Sequence, residues 1–166
     1  MDETQGKQKK IIGLQEYYEL MDRLVVKIRV SAIPFNYIVA IARGGLAIGE
    51  RLSRMLELPL AIVAAENWPA GKKHDTVRFS RHCVYLSTEP AGPILIVDDL
   101  SESGDTIRET KLYLQKKFAI SSEYLYSAVL LLKSSTPERP DFIADETNLS
   151  PNIWVVFPPE NPEIVP

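Results

Sequence analysis

Residues 94–106 read Ile-Leu-Ile-Val-Asp-Asp-Leu-Ser-Glu-Ser-Gly-Asp-Thr, and no other stretch of the chain narrows the fold as far. Ile94, Leu95, Ile96 and Val97 make a short apolar run, the pattern of a strand buried on both faces. Asp98 and Asp99 follow at the expected end of that strand, then a short polar loop with Gly104, then helical spacing over 106–118 with Ile107, Leu114 and Phe118 on one side. A buried strand that delivers charge to its end and turns into a helix belongs to an open α/β sheet. Such sheets collect ligands beyond the C-terminal edge of their strands.

The chemistry of the loop can be read from its residue types. A loop that opens a helix points unpaired backbone N–H groups at one spot, which suits a phosphate. Gly104 lets that backbone come close, while Ser103 and Thr106 add hydroxyl donors. Asp105 stands beside this nest, where its charge suits the helix dipole but repels a phosphate unless the side chain turns outward. Two adjacent acids next to a phosphate nest ask for vicinal hydroxyls with a phosphate beside them, as in a ribose 5-phosphate. An ordinary capped strand-to-helix turn would need neither the second acid nor the glycine.

The rest of the chain fits around this unit. Leu14, Tyr17, Tyr18, Met21, Leu24, Val25 and Ile28 recur at spacings of three and four, which predicts a long amphipathic helix that Pro34 ends. The runs 37–41 and 60–63 read as buried strands, with a helix between them carrying Ile48, Leu52 and Met55 on one side. Residues 66–93 interrupt the rhythm with Pro69, Gly71, Pro90 and Gly92, and Val77, Phe79, Cys83 and Tyr85 alternate with more polar positions. A strand or hairpin excursion is expected there, with a mobile tip near 69–75. A long strand over 124–132 follows, then Phe142, Ile143 and a last apolar run over 153–157. The expected organisation is a tail at 1–10 and one domain over 11–166, with a flexible loop about 66–76 and a C-terminal hood about 142–160.

The 94–106 stretch resembles the PRPP-binding loop of type I phosphoribosyltransferases: an apolar strand, two acids, three variable residues, then Thr/Ser-Gly-x-Thr/Ser. Ala42-Arg43-Gly44-Gly45 is similar to the pyrophosphate loop of the 6-oxopurine members, where glycines expose backbone donors and the arginine forks phosphate oxygens. That loop often carries a non-proline cis peptide, here expected at Ala42–Arg43. Glu102 stands where the hypoxanthine, guanine and xanthine enzymes carry an acid that takes the proton leaving the purine ring. Lys133 ends the long strand ahead of a Pro- and Arg-containing turn, as in xanthine–guanine members, where the lysine points at the 6-oxo group. Trp154 and Val155 resemble the segment whose aromatic and aliphatic residues clamp the base, although Pro158-Pro159-Glu160 departs from the usual Pro-Trp-Glu/Asp continuation.

The resemblance implies a central, mostly parallel sheet flanked by helices, Rossmann-like, with a small hood built from the chain ends. It implies a Mg²⁺-dependent transfer of ribose 5-phosphate from PRPP to a 6-oxopurine (xanthine, guanine or hypoxanthine), releasing pyrophosphate and the nucleotide, as in purine salvage. Glu102, Asp98 and Asp99 are the expected catalytic residues. Arg43, Gly44, Gly45, Ser101, Ser103, Gly104, Asp105, Thr106, Lys133, Trp154 and Val155 are the expected substrate contacts. Mg²⁺ should be held mainly by substrate oxygens and water, with Asp98 and Asp99 reaching it through water. A homodimer or homotetramer is the family expectation. The alternative is a catalytically silent member of the fold that binds PRPP or nucleotides as a regulator.

Composition bears on the other classes. Lys+Arg count 19 against 22 Asp+Glu, a formal net charge of -3, which argues against a broad nucleic-acid surface. Cys83 is the one cysteine, so an internal disulfide and a multi-cysteine metal site are excluded. His82 and Cys83 lack further ligands at metal spacing, and His74 with Lys72 and Lys73 fits a solvated basic loop as well as a lid. The polar start and short apolar runs lead us to expect neither a leader nor a membrane span, and a cytoplasmic protein.

Overall fold

The computed structural model describes residues 8–66, 77–85, 88–133, 138–150 and 152–161. The expected loop tip at 69–75, with His74, and the turn after Lys133 lie outside them. The described elements are β1 (Gln8–Ile11), α1 (Leu14–Val30), β2 (Tyr37–Ala42), α2 (Gly45–Leu56), β3 (Leu60–Glu66), β4 (Arg78–Phe79), β5 (Val84–Tyr85), β6 (Ile94–Ser101), α3 (Asp105–Phe118), β7 (Leu125–Lys133), β8 (Phe142–Leu149) and β9 (Ile153–Val156). The α/β alternation gives a seven-stranded sheet in the order β4-β3-β2-β6-β7-β8, with β5 also paired to β3. β3, β2, β6, β7 and β8 run parallel, while β4 and β5 lie antiparallel to β3. The expected mostly parallel sheet is therefore present. The expected strand or hairpin excursion after β3 carries, among the described residues, two short strands that each pair antiparallel with β3.

Apolar side chains decide the layering. α1 buries Tyr17, Leu20, Met21, Leu24, Val25 and Ile28 in the larger core cluster with Ile48, Leu52, Leu95, Val97 and Leu130. Leu14 and Tyr18, expected on the buried stripe, are exposed at its margin, and Met55 of α2 is exposed as well. The opposite face of the sheet packs Val39, Ile41, Ile94 and Ile96 against Leu114, with Tyr113 and Phe118 of α3 beside them. The alternation Ile94/Ile96 against Leu95/Val97 shows the strand period sending successive side chains to opposite layers.

Two corrections concern the chain ends. Residues 8–10 are not tail: β1 pairs in parallel with β9, Gln8 opposite Ile153 through Ile11 opposite Val156. The amide of Ile12 continues the ladder to Val156 O at 3.0 Å, and Ile12 itself is fully buried. The hood expected at about 142–160 is shorter than that: Phe142–Leu149 is β8 of the central sheet, and only the two-stranded β1–β9 sheet and the turn after it stand apart. Among the described residues no helix is long and apolar enough to cross a membrane.

Candidate active site

The order of the central strands creates a switch point. From β2 the chain moves to β3 on one side, whereas β6 lies on the other. The loops leaving β2 and β6 therefore diverge and leave a crevice between them. β2 ends at Ala42 and passes through Arg43 and Gly44 into α2. The Ala42–Arg43 peptide is cis, as expected from the loop's resemblance. Arg43 is exposed at the rim. Gly45 starts the helix directly on β6: a Cβ there would stand 2.2 Å from Val97 O.

β6 runs further than its apolar residues suggest. Strand pairing with β7 continues to Ser101, opposite Leu132, so Asp98 and Asp99 lie within the strand rather than in the loop after it. Ser101 is 3% exposed and its hydroxyl is buried with no hydrogen-bond partner among the described residues. It is part of the sheet, not of the phosphate nest, because the ladder carries its side chain inward. The loop proper is Glu102, Ser103 and Gly104, and α3 opens at Asp105, one residue earlier than the spacing predicts. Gly104 has φ 80°, a left-handed conformation that only glycine adopts without strain. No side chain caps α3 from Gly104; the Asp105 amide donates to Ser103 Oγ at 3.4 Å, and the next amides and the half-buried Thr106 stand at the helix start. The Asp105 carboxylate is held between the loop and its own helix. Ser103 Oγ donates to its Oδ2 at 2.6 Å, and Arg108 Nη1 lies 2.9 Å from its Oδ1.

Asp98 and Asp99 are partly buried side by side, and Asp98 Oδ1 accepts the Asp99 amide at 3.0 Å. Burial pushes the Asp98 carboxyl well above the usual range, with the Asp99 charge adding to it. Asp99 is pushed up to about 7, by burial first and then by the charge of Glu160. Tyr17 is pushed up to about 12 by burial, with Asp99, Tyr18 and Glu160 contributing. Tyr17 and Glu160 are site neighbours that residue patterns did not single out. Tyr17 reads as one more apolar position of α1, and Glu160 falls in the Pro-Pro-Glu departure. The ring of Phe157 lies 5.8 Å from that of Tyr17, which fixes the hood turn carrying Glu160 against α1.

A second group of side chains gathers beside the acids. Lys133 is 2% exposed at the end of β7, and its Nζ lies 3.3 Å from Glu102 Oε2. The same ammonium stands 5.9 Å from the ring centroid of Trp154 on β9. Three segments far apart in sequence thus bring together an acid, a buried cation and an indole face. Val155 does not join them. It is 5% exposed and packs in the larger core cluster, because neighbouring positions of a strand face opposite ways. Val156 shares the side of Trp154 on that alternation.

Two adjacent carboxylates with partial solvent access are oxygen donors of the kind Mg²⁺ takes. Among the described residues no group of three or more Asp, Glu, His or Cys is arranged to hold a metal. Such a pair suits an ion whose other ligands are water and the oxygens of a bound molecule.

A switch point between β2 and β6, a helix opening on Gly104 and a pair of adjacent acids near the end of β6 define an open-sheet α/β protein with its candidate site at the strand ends. The chain belongs to the phosphoribosyl transferase domain family, whose model matches residues 13–163. Its fold is similar to that of a purine phosphoribosyltransferase from Pyrococcus horikoshii, with TM-score 0.70, 24% identity and coverage of 92% of this chain and 95% of that one. The Helicobacter pylori xanthine-guanine-hypoxanthine phosphoribosyltransferase gives TM-score 0.72 at 19% identity, covering 92% and 94%. A hypothetical protein from Neisseria gonorrhoeae with bound ppGpp gives 0.71 at 21%, covering 95% and 92%.

Proposed function

We propose that the protein transfers ribose 5-phosphate from PRPP to a 6-oxopurine, releasing pyrophosphate. The observation that carries this reading is the Lys133–Glu102 contact of 3.3 Å beside Trp154, set next to the paired acids. A buried ammonium is a donor suited to a ring carbonyl and unsuited to the amino group of adenine. The carboxylate beside it can accept a proton from a ring nitrogen. The indole offers a flat stacking surface.

In the proposed reaction the bond from the ribose anomeric carbon to pyrophosphate oxygen breaks, and a bond from that carbon to a purine ring nitrogen forms. The ring nitrogen's proton passes to Glu102. Asp98 and Asp99 hold the ribose hydroxyls and favour the positive charge that develops on the sugar. Gly104, Thr106 and the first amides of α3 hold the 5-phosphate, while the Ser103 hydroxyl and Arg108 hold the Asp105 carboxylate. Arg43, Gly44 and Gly45 receive the leaving pyrophosphate. Mg²⁺, when bound, supplies positive charge to the pyrophosphate oxygens.

The likeness to a ppGpp-bound structure favours one second reading, a nucleotide-binding regulator without turnover. Pyrophosphate release from PRPP with Mg²⁺ separates the two. Hypoxanthine, guanine, xanthine, adenine, uracil and orotate are tested separately. Release dependent on one of the first three, abolished by Asp98→Asn with Asp99→Asn, is the expected result. Saturable PRPP or ppGpp binding with no release for any base would establish the regulator.

A further inference from the structure

The Arg43-Gly44-Gly45 loop and the paired acids are not separate subsites. A Cβ on Gly44 would stand 2.5 Å from Asp99 Cγ, 2.5 Å from Oδ2 and 2.7 Å from Oδ1. All three atoms of the Asp99 carboxyl therefore lie against the Gly44 Cα. The backbone at Gly44 has φ -54° and ψ -44°, ordinary right-handed helical values that any residue adopts. Glycine is thus not required here for its conformation; what it supplies is space, and what fills the space is the Asp99 carboxyl. Gly45 differs, since the atom it would meet is the carbonyl of Val97, fixed backbone rather than a side chain. Gly44 is also the N-cap of α2 and offers no side-chain cap. A carboxylate lying there is in the favourable field of the helix start.

We infer that Gly44 is a positioning residue: its missing side chain seats the Asp99 carboxyl against the Arg-Gly-Gly loop, so that ribose acid and pyrophosphate loop work as one unit. In consequence a side chain at 44 acts on PRPP through Asp99 and not through loss of a backbone donor. A methyl at 44 drives the carboxyl off its seat, while the amide of residue 44 remains available to a ligand. The functional half of this inference rests on the phosphoribosyl-transfer reading; the seating itself does not.

The test is a double-mutant cycle with Gly44→Ala, Asp99→Ala and the two combined. PRPP binding with Mg²⁺ is measured by calorimetry and thermal midpoints are measured without ligand. Asp99→Ala removes the three carboxyl atoms that a Cβ at 44 would meet. Gly44→Ala should weaken PRPP binding about tenfold in the wild-type background and about twofold or less beside Asp99→Ala, the range of coupling for groups in contact. In turnover assays Gly44→Ala should raise KM for PRPP while leaving KM for the base close to wild type. The thermal midpoint should fall with Gly44→Ala alone and recover when Asp99→Ala is added. Equal losses of PRPP binding in both backgrounds overturn the inference, because Gly44 would then act through its own backbone. Should the wild type bind no PRPP, the reading of function fails and the thermal cycle alone decides the seating. Coupled midpoints support it and additive ones overturn it.

Discussion

The proposed ribose side and the proposed base side of the crevice are built in opposite ways. Asp98, Asp99, Gly104 and Thr106 come from one unbroken strand–loop–helix unit, and the unit's own geometry sets their spacing. Lys133, Glu102 and Trp154 come from β7, the loop after β6 and β9, and only tertiary packing brings them together. The first arrangement costs stability locally, since two acids are buried side by side. The second is held by a cation and an acid that satisfy each other, and by a hood strand that needs β1 as its partner. In the proposed reaction the local unit holds the donor. The assembled one is free to differ at Lys133 and Trp154, whereas Glu102 shares its loop with Gly104 and ties the two sides together.

The largest test of this division is Asp98→Asn with Asp99→Asn. Turnover should fall by about a thousandfold, as expected when the groups facing a developing charge are neutralised. The fold should survive, and its ligand-free thermal midpoint at pH 8 should rise. Retention of turnover within about tenfold of wild type would collapse the distinction, because the ribose side would then not hold the chemistry.

A sharper test acts on the base side alone. Lys133→Met with Glu102→Gln should lower kcat/KM for the favoured purine about a hundredfold while PRPP affinity stays within about twofold. The single change Glu102→Ala strands a buried ammonium and should cost about 1–3 kcal/mol of stability, lessened by the 40% exposure of the Glu102 side chain. Equal damage to PRPP binding and base selection would mean that the two sides are one site. Trp154→Ala should be milder still, raising KM for the base about tenfold through lost stacking.

The smallest effect is on stability against pH. Asp99 is pushed up to about 7 and Asp98 is also raised, so the folded chain holds these protons more tightly than the unfolded chain does. Their contribution is present in full below the ordinary carboxylate range and is lost as pH rises through about 7. The ligand-free midpoint should therefore drop between pH 5 and 8 by a few degrees more in wild type than in the Asn pair. Parallel curves for the two proteins would show that the acids are not strained in the folded state.

The same division governs what the sequence revealed. The strand–loop–helix unit was legible because apolar run, acids, glycine and helix follow one another in the chain, and local order reports local geometry. Even there the strand outlasted its apolar residues. Pairing with β7 carried it through Ser101, and no local pattern marks such a partner. Lys133 and Trp154 could be suspected only by resemblance, and their meeting with Glu102 is a property of packing. Val155 was misplaced because resemblance names a segment, whereas strand alternation decides which of two neighbours faces inward. β1 was read as tail because a polar strand of four residues has no signature without its partner. Tyr17 was hidden by its own helix, since a tyrosine in an apolar stripe reads as core until its surroundings are known.

The pairing of β1 with β9 also sets a timetable for the growing chain. Gln8 meets Ile153 across nearly the whole sequence, the kind of contact that closes late because its loop entropy is largest. During synthesis from the N-terminus, β2, α2, β6 and α3 are complete while the partner of β1 has yet to be made. A nascent chain would therefore own the crevice proposed for ribose phosphate before it owned the indole wall across from it. Until residue 156 emerges, Gln8–Ile11 is an unpaired edge awaiting its other half.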